Sequence, residues 1–260
     1  MDSDRASWTA LCAASNRAMH LFVDDPPPIL RDEWALRFIG EEAERAYRAN
    51  AAAFRSREWG ALRALAIVRN RYTEDRLDKA NARGVGQYVL LGAGLDSFAH
   101  RVPRLADRIT IFEVDHPASQ RTKRALLEEL GAPEVPSLRY VPVDFESQTL
   151  ADELARAGFR RDAPAFFSWL GVTIYLTDAT IASTLGFVRS CAPGTEIVFE
   201  YSLPLDVLPP EEQGRLAAVG FADVVDFGPK EAHAAYLGGR RDSLWFSELS
   251  HLIHATVPAA

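Results

Sequence analysis

The amino-acid sequence predicts an α/β protein whose sheet is mainly parallel and whose N-terminal part is helical. Three observations support this class. Residues 1–82 are rich in Ala, Arg, Glu and Leu, which are good helix formers. From residue 83 onward, short apolar segments alternate with helix-like segments, a pattern typical of βαβ units in a parallel sheet. The last part of the chain, 224–257, predicts two further strands with a helix between them.

The N-terminal part is expected to form a helical cap. Aromatic side chains recur along it, and the sequence Asp-Asp-Pro-Pro-Pro interrupts it at residues 24–28. Three consecutive prolines lack three backbone N–H donors, so no helix continues through them. We expect the cap, residues 1–82, to belong to the same domain as the core, residues 83–260.

Five apolar segments are predicted as strands, at 87–91, 109–115, 139–144, 165–170 and 196–201. Pro142 suits an edge strand, because proline cannot donate a hydrogen bond to a neighbouring strand. Helices are predicted between the strands, at 117–130, 147–157 and 177–191. Pro117 fits a first helical turn, and Ser147 and Thr177 are the expected N-caps.

Composition and charge narrow the functional classes. Hydrophobic residues make up 48% of the 260 residues, enough for a full globular core. The formal charge is −7 and the pI is near 5.4, which argues against a nucleic-acid partner because phosphate binding needs a basic face. The oligomeric state is left open.

Cysteine usage and the chain start indicate the compartment. Cys12 and Cys191 have no CxxC partner, so neither a metal site nor a disulfide framework is expected. The first residues lead into no apolar run of the kind found in signal peptides or membrane spans. We therefore expect a cytoplasmic location and no membrane partner.

A glycine-rich turn follows the first predicted strand. Gly92, Ala93 and Gly94 let the backbone turn sharply and approach a ligand closely, although a strand–turn–helix without a ligand gives the same pattern. A dinucleotide fingerprint needs a third glycine where this chain has Ser97. A pyrophosphate requires bare backbone there and the methionine part of S-adenosylmethionine (SAM) does not, so the turn favours SAM over NAD. Asp96, in the same turn, is an expected cofactor contact.

Acidic residues end the second and third predicted strands. Glu113 and Asp115 lie about twenty residues beyond the glycines, the interval expected for a ribose-binding acid. Alternation puts both on one face of the strand, so either could accept hydrogen bonds from a ribose diol. Asp144 could accept from an adenine amino group while Phe145 packs on the ring. The alternatives are a solvated strand end for the first pair and a helix N-terminal acid for Asp144.

Several segments, taken in order, resemble a known family. They are RNRYTED (69–75), QYVLLGAGLDSFAHR (87–101), FEVDHP (112–117), YVPVD (140–144) and SWLGVTIYL (168–176). The chain resembles the leucine carboxyl methyltransferase family, which includes bacterial relatives named for a tetracenomycin polyketide O-methyltransferase. The resemblance covers roughly residues 9–201 and resumes near 220. It implies a Rossmann-like class I methyltransferase sheet with an antiparallel C-terminal strand, and SAM as the cofactor.

The resemblance also implies roles for particular residues. Arg69 would clamp the SAM carboxylate, which a guanidinium suits through bidentate pairing, and Arg17 would be a second basic residue nearby. Gly92 and Gly94 would line the methionine part, and Asp115 would hold the ribose. Many family members have glutamate where this chain has Leu170, so a polar cofactor contact there is replaced by apolar packing. The segment 211–219 is also shorter than in most members, which indicates a reduced lid, a more open pocket or a larger substrate.

The expected reaction is O-methylation, with Thr173 and Tyr175 as substrate contacts. A carboxylate acceptor on a small metabolite or a peptide C-terminus is already ionised at neutral pH and needs no general base. A hydroxyl of a polyketide-like metabolite, the alternative acceptor, would need a base such as His100 or His116. An NAD-dependent oxidoreductase and a non-catalytic SAM-binding protein are the remaining alternatives. The absence of a Tyr-x-x-x-Lys pair from this chain counts against an oxidoreductase, whereas Leu170 and the short segment 211–219 would fit a non-catalytic protein.

Overall fold

The computed structural model describes residues 3–144, 147–202 and 219–259. In these ranges, a seven-stranded sheet has the order β3-β2-β1-β4-β5-β7-β6. The strands are β1 (Gln87–Leu91), β2 (Thr110–Asp115), β3 (Leu138–Pro142), β4 (Phe166–Trp169), β5 (Glu196–Ser202), β6 (Ala222–Phe227) and β7 (Ser250–Thr256). Strands β1 to β5 are parallel, and β7 runs antiparallel to both β5 and β6. The predicted fold class is confirmed, and Pro142 lies in edge strand β3 as expected.

The N-terminal part is helical, as predicted. It comprises α1 (Ser3–Val23), α2 (Glu33–Ala49), α3 (Ala51–Phe54) and α4 (Arg57–Ala82). The proline-rich segment separates α1 from α2, and the side chain of Asp32 caps α2 by accepting from the backbone N–H of Ala35 at 2.9 Å. Helix α4 contacts β4 and β5, so the cap packs directly on the middle of the sheet.

The remaining helices connect the strands. They are α5 (Phe98–Arg101), α6 (Pro103–Ala106), α7 (Pro117–Glu129), α8 (Leu150–Arg156), α9 (Asp178–Arg189) and α10 (Pro229–Ala232). A 3-10 turn spans Thr173–Tyr175, and a π-helical turn, His233–Leu237, extends α10 towards β7. Pro117 and Thr177 occupy their predicted positions at helix starts.

One predicted N-cap is wrong. Thr149, not Ser147, caps α8 by accepting from the backbone N–H of Asp152 at 3.2 Å. The preceding residues form a separate turn, in which the N–H of Ser147 donates to the carbonyl of Asp144 at 3.0 Å. This turn delays the helix until residue 150.

Apolar side chains fill both faces of the sheet. Tyr88 and Leu90 of β1 pack on the face that α4 covers, and Val89 and Leu91 pack on the opposite face. Burial on both faces explains why β1 is an uninterrupted apolar segment. Each fully buried large side chain contributes about 1.5–3 kcal/mol, so the two clusters hold the strand ends in fixed positions.

The strand register aligns the residues that follow the strands. Leu91 pairs with Val114 on one side and with Trp169 on the other, and Trp169 pairs with Phe199. The glycine turn, the end of β2, the β4 loop and the end of β5 therefore meet at the carboxyl edge of the sheet. Within the described ranges, no helix is both long enough and apolar enough to cross a membrane.

Candidate functional site

A cleft opens at this carboxyl edge, where open α/β sheets bind ligands. Helices α1 and α4, the glycine turn, the end of β2 and the loop after β4 form its walls. Nine residues predicted for the site line it: Arg17, Arg69, Gly92, Ala93, Gly94, Asp96, Asp115, Leu170 and Tyr175. The structure thus brings together predicted residues from five separate segments of the chain.

The glycine turn has the geometry that requires glycine. Gly92 and Gly94 have φ angles of 70° and 46°, in the left-handed region that disfavours other residues. A Cβ atom at Gly92 would lie 2.4 Å from Cγ2 of Val172, which is too close for any side chain. The backbone N–H groups of Gly92 and Ala93 donate to the carbonyl of Val114, at 2.8 and 3.1 Å. The turn is therefore bound tightly to the end of β2.

The carboxylate of Asp115 also holds the glycine turn in place through hydrogen bonds to the backbone. Its Oδ2 accepts from the N–H of Gly94 at 2.5 Å, and its Oδ1 accepts from the N–H of His116 at 2.7 Å. Burial raises the pKa of Asp115, and the two backbone N–H groups partly oppose that rise. A carboxylate oxygen has lone pairs for more than one hydrogen bond, so Asp115 keeps capacity for a ligand hydroxyl.

Glu113 does not line the cleft. Its Oε2 lies 2.7 Å from Nζ of Lys123 in α7, and both side chains are almost fully buried. Burial raises the pKa of Glu113, and Lys123 opposes the rise. Glu113 does share a face with Asp115, as alternation requires. It lies two residues deeper, however, about 6–7 Å back from the strand end, where α7 covers it.

Arg69 reaches the cleft from α4. Its Nη1 donates to Oε2 of Glu200 at 2.6 Å, and its Nε is buried with no hydrogen-bond partner among the described residues. Gly171 makes room for the guanidinium, because a Cβ atom there would lie 2.8 Å from Nη1. An unpaired buried N–H is costly, so this group is a candidate to bind a ligand acceptor.

Arg17 lines the cleft from α1 but is already engaged. Its Nε donates to Oδ2 of Asp32 at 2.7 Å, and its Nη2 donates to the carbonyl of Leu95 at 2.6 Å. Since Leu95 follows Gly94, Arg17 ties α1 and α2 to the glycine turn. Asp96, in the same turn, accepts from the N–H of Phe98 at 2.7 Å.

Two further predicted residues lie away from the cleft lining. The Oγ1 of Thr173 is turned inward and donates to the backbone carbonyl of Glu200 at 2.6 Å, so this hydroxyl joins the β4 loop to β5. The backbone N–H of Asp144 donates to Oε1 of Gln148 at 2.9 Å. Phe145, the predicted adenine contact, and nearly all of the short segment 211–219 lie outside the described residues.

Some lining residues were not predicted. Ala10 and Ala13 of α1 line the cleft, and an ideal Cβ at Gly94 would lie 3.1 Å from Cβ of Ala10. Their helical spacing with Arg17 was a usable signal, since residues three and four apart share a helix face. Ser168 lines the cleft at the end of β4, and its hydroxyl lies 2.9 Å from the hydroxyl of Tyr88.

The two histidines weighed as bases lie elsewhere. Both ring nitrogens of His100 are buried without a hydrogen-bond partner among the described residues. Burial, with help from Lys123 and Arg37, lowers the pKa of His100 to about 4. The Nδ1 of His116 accepts from the N–H of Ala118 at 3.2 Å and caps α7. Within the described ranges, no histidine lines the cleft.

Comparison with known proteins identifies the family. The leucine carboxyl methyltransferase family model matches residues 10–189, which include most of the cleft. The chain belongs to this family. The resemblance found in the sequence motifs is therefore confirmed.

Family relatives carry consistent names. The chain is 34% identical over 191 residues to YktD of Bacillus subtilis (strain 168), covering 73% of this chain and 59% of that protein. It is 34% identical over 193 residues to a protein of Mycobacterium tuberculosis (strain H37Rv), covering 73% of this chain and 62% of that protein. Both are provisionally named SAM-dependent methyltransferases. The chain thus spans about three fifths of the length of these relatives.

A solved structure shows the same fold. A provisionally named methyltransferase from Thermobifida fusca YX aligns with a TM-score of 0.50 at 18% identity, covering 85% of this chain and 90% of that one. At this identity the likeness concerns the arrangement of helices and strands alone.

Proposed function

We propose that this protein is a SAM-dependent O-methyltransferase that methylates a carboxylate of a small metabolite or a peptide C-terminus. One observation carries the proposal. A single cleft at the carboxyl edge combines two left-handed glycines, the carboxylate of Asp115 and the guanidinium of Arg69. Membership of the leucine carboxyl methyltransferase family and the names of the relatives support it.

The lining residues fit the chemical groups of SAM. Arg69 would bind the carboxylate of the methionine part, because its Nε is a buried donor without a partner among the described residues. Asp115 would accept from the ribose hydroxyls, and the glycine turn would let the backbone approach the chain between them. Leu170 would pack on the ligand. Arg17 would act mainly by holding the glycine turn through its bond to the carbonyl of Leu95.

Binding requires the cleft to widen. Its volume is about 150 Å³, below the ~300–1,000 Å³ typical of small-molecule sites. Ala10 and Ala13 of α1 line the cleft, and Ala10 lies next to Gly94, so a small outward shift of this helix would provide the space. The proposal therefore includes an α1 that moves when the ligand binds.

The acceptor is proposed to be ionised before it binds. SAM supplies a methyl group that is electrophilic because a sulfonium carries it, and the protein supplies binding and alignment. A carboxylate needs no proton removed, and no histidine lines the described cleft. Tyr175, which is 38% exposed at the cleft, would contact the acceptor. The free thiols of Cys12 and Cys191 are compatible with the reducing cytoplasm that we propose as the setting.

The test is methyl transfer to defined acceptors, followed by mass spectrometry. The protein is incubated with SAM and matched compounds that carry a carboxylate, a phenol or an alcohol. We expect a gain of one methyl group on carboxylates and none on phenols or alcohols. Transfer to hydroxyls alone would support the polyketide-like alternative. SAM binding without transfer to any acceptor would support a non-catalytic SAM-binding protein.

A further inference from the structure

The guanidinium of Arg69, which lines the cleft, forms an ion pair with the carboxylate of Glu200. Nη1 of Arg69 lies 2.6 Å from Oε2 of Glu200, and the two side chains are only 13% and 6% exposed. Water screens such a pair poorly, so each charge strongly affects any third charge placed beside it. A ligand that binds Arg69 therefore also meets the field of Glu200.

Glu200 is held in place from several sides. Its strand, β5, pairs with β4 and with β7, so the backbone has neighbours on both edges. The hydroxyl of Thr173 donates to the backbone carbonyl of Glu200 at 2.6 Å. Gly171 leaves space for the guanidinium, because a Cβ atom there would lie 2.8 Å from Nη1 of Arg69. The Arg69–Glu200 pair is thus fixed in place. Arg69 lines the cleft, whereas Glu200 is buried and not among the lining residues, so it acts on a ligand through its charge and its pair with Arg69.

This pair distinguishes between ligands of different charge. A ligand carboxylate on Arg69 places two carboxylates beside one guanidinium, which is unfavourable unless the ligand brings a cation of its own. An α-amino acid does so, because its ammonium lies on the carbon next to the carboxylate. Strand β4 ends at Trp169, which pairs with Phe199, and the next residue, Leu170, lines the cleft and adds no second acid there.

We propose that Glu200 is a specificity-determining residue. Through its pair with Arg69, it makes the cleft select the zwitterionic amino-acid end of SAM over ligands that carry a carboxylate alone. The inference rests on the proposed function and adds a residue to it. No sequence motif singled out Glu200, because its partner lies 131 positions away in the chain.

The test is calorimetric titration of three ligands into the wild type and Glu200→Gln. The ligands are S-adenosylhomocysteine, its deaminated analogue, which keeps the carboxylate, and its decarboxylated analogue, which keeps the ammonium. We expect the wild type to prefer S-adenosylhomocysteine over the deaminated analogue by about tenfold or more, as a charged contact provides. Glu200→Gln should weaken both ammonium-bearing ligands about tenfold and leave the deaminated analogue unchanged or tighter.

Glu196→Gln is the matched control. Glu196 lies on the same strand, is 3% exposed and pairs with Arg83 and His254 at the far end. Its replacement should leave the ratios among the three ligands unchanged.

Several results would overturn the inference. Equal affinity of the wild type for S-adenosylhomocysteine and the deaminated analogue would do so without any variant. An equal loss for all three ligands in Glu200→Gln would show a purely structural role. A loss confined to the two carboxylate-bearing ligands would show that Glu200 merely holds Arg69. A wild type that binds no S-adenosylhomocysteine would instead overturn the proposed function itself.

Discussion

A single methyl group at position 171 should weaken SAM binding about as much as removal of the Arg69 side chain. A Cβ atom at Gly171 would lie 2.8 Å from Nη1, 3.0 Å from Nη2 and 3.2 Å from Cζ of Arg69. The first distance is shorter than van der Waals contact allows, so in Gly171→Ala the guanidinium must leave its position. Its bond to Glu200 and the orientation of its Nε would change together.

The magnitude follows from two separate costs. Gly171 has a φ of 71°, and a left-handed backbone costs an L-residue about 1–2 kcal/mol of stability. Loss of a hydrogen bond to a charged ligand group costs a further ~1.5–3 kcal/mol of binding free energy. That corresponds to a roughly 10- to 150-fold rise in Kd for S-adenosylhomocysteine.

Calorimetric titration and thermal denaturation separate these two costs. The control is Gly158→Ala, because Gly158 has a φ of 89° and no atom within 4 Å of an added Cβ. The control should lose similar stability and keep the wild-type Kd. In an Arg69→Ala background, Gly171→Ala should cause no further loss of affinity. An unchanged Kd in Gly171→Ala, or losses that add fully in the double variant, would refute this reasoning.

Four other predictions concern the acids and the histidines. Asp115→Ala should weaken S-adenosylhomocysteine and adenosine alike, by about tenfold or more, because both carry the ribose. Glu113→Ala should instead lower the unfolding free energy, measured with denaturant, by about 3–5 kcal/mol, because it leaves Lys123 buried and unpaired. If Glu113→Ala weakened both ligands and Asp115→Ala did not, Glu113 would be the ribose acid. The methylation rate should stay flat from about pH 6 to 8, since carboxylates titrate near 4. His100→Gln and His116→Gln should keep the single-turnover rate within a few-fold of the wild type. A methylation rate that falls below pH 7 in the wild type, and no longer does so when one of these histidines is replaced, would indicate a hydroxyl acceptor. His100 has its pKa lowered from 6.5 to about 4, so between these values the unfolded chain binds more protons than the native one. The melting temperature should therefore fall as pH drops through this window, and less so in His100→Gln; identical pH profiles would contradict this.

Local sequence signals predicted the fold because they act over short distances. The apolar β1 segment, Pro117 at a helix start and the Thr177 cap each depend on residues within a few positions. The order of strands and helices follows from such signals. The rule that ligands bind at the carboxyl ends of parallel strands then placed Asp115 and the glycine turn at one edge.

The remaining features depend on contacts between distant residues. Glu113 and Asp115 have the same alternation, and what separates them is the depth at which Lys123 of α7 meets the sheet. Thr173 was predicted as a substrate contact, but its hydroxyl is used by the carbonyl of Glu200, 27 positions away. No local pattern contains this information, because the partners become neighbours only after the sheet has formed.

The ion pairs of Arg69 and Arg17 belong to the same class. Arginine at either position suggests a free cation when the sequence is considered alone. In the structure, Arg69 pairs with Glu200 and Arg17 pairs with Asp32, so each charge is shared before any ligand arrives. The site therefore does not present two unpaired cations. Arg69 forms an ion pair of zero net charge with Glu200, and Arg17 connects α1 and α2 to the glycine turn.

The most direct test of the central claim is a crystal structure of the protein with S-adenosylhomocysteine. We predict that the ligand lies in the cleft between α1, α4 and the glycine turn. Its carboxylate should lie within hydrogen-bond distance of Arg69 and its ribose hydroxyls within that distance of Asp115. A ligand bound elsewhere, or one whose ribose and carboxylate contact neither residue, would contradict the proposed SAM site.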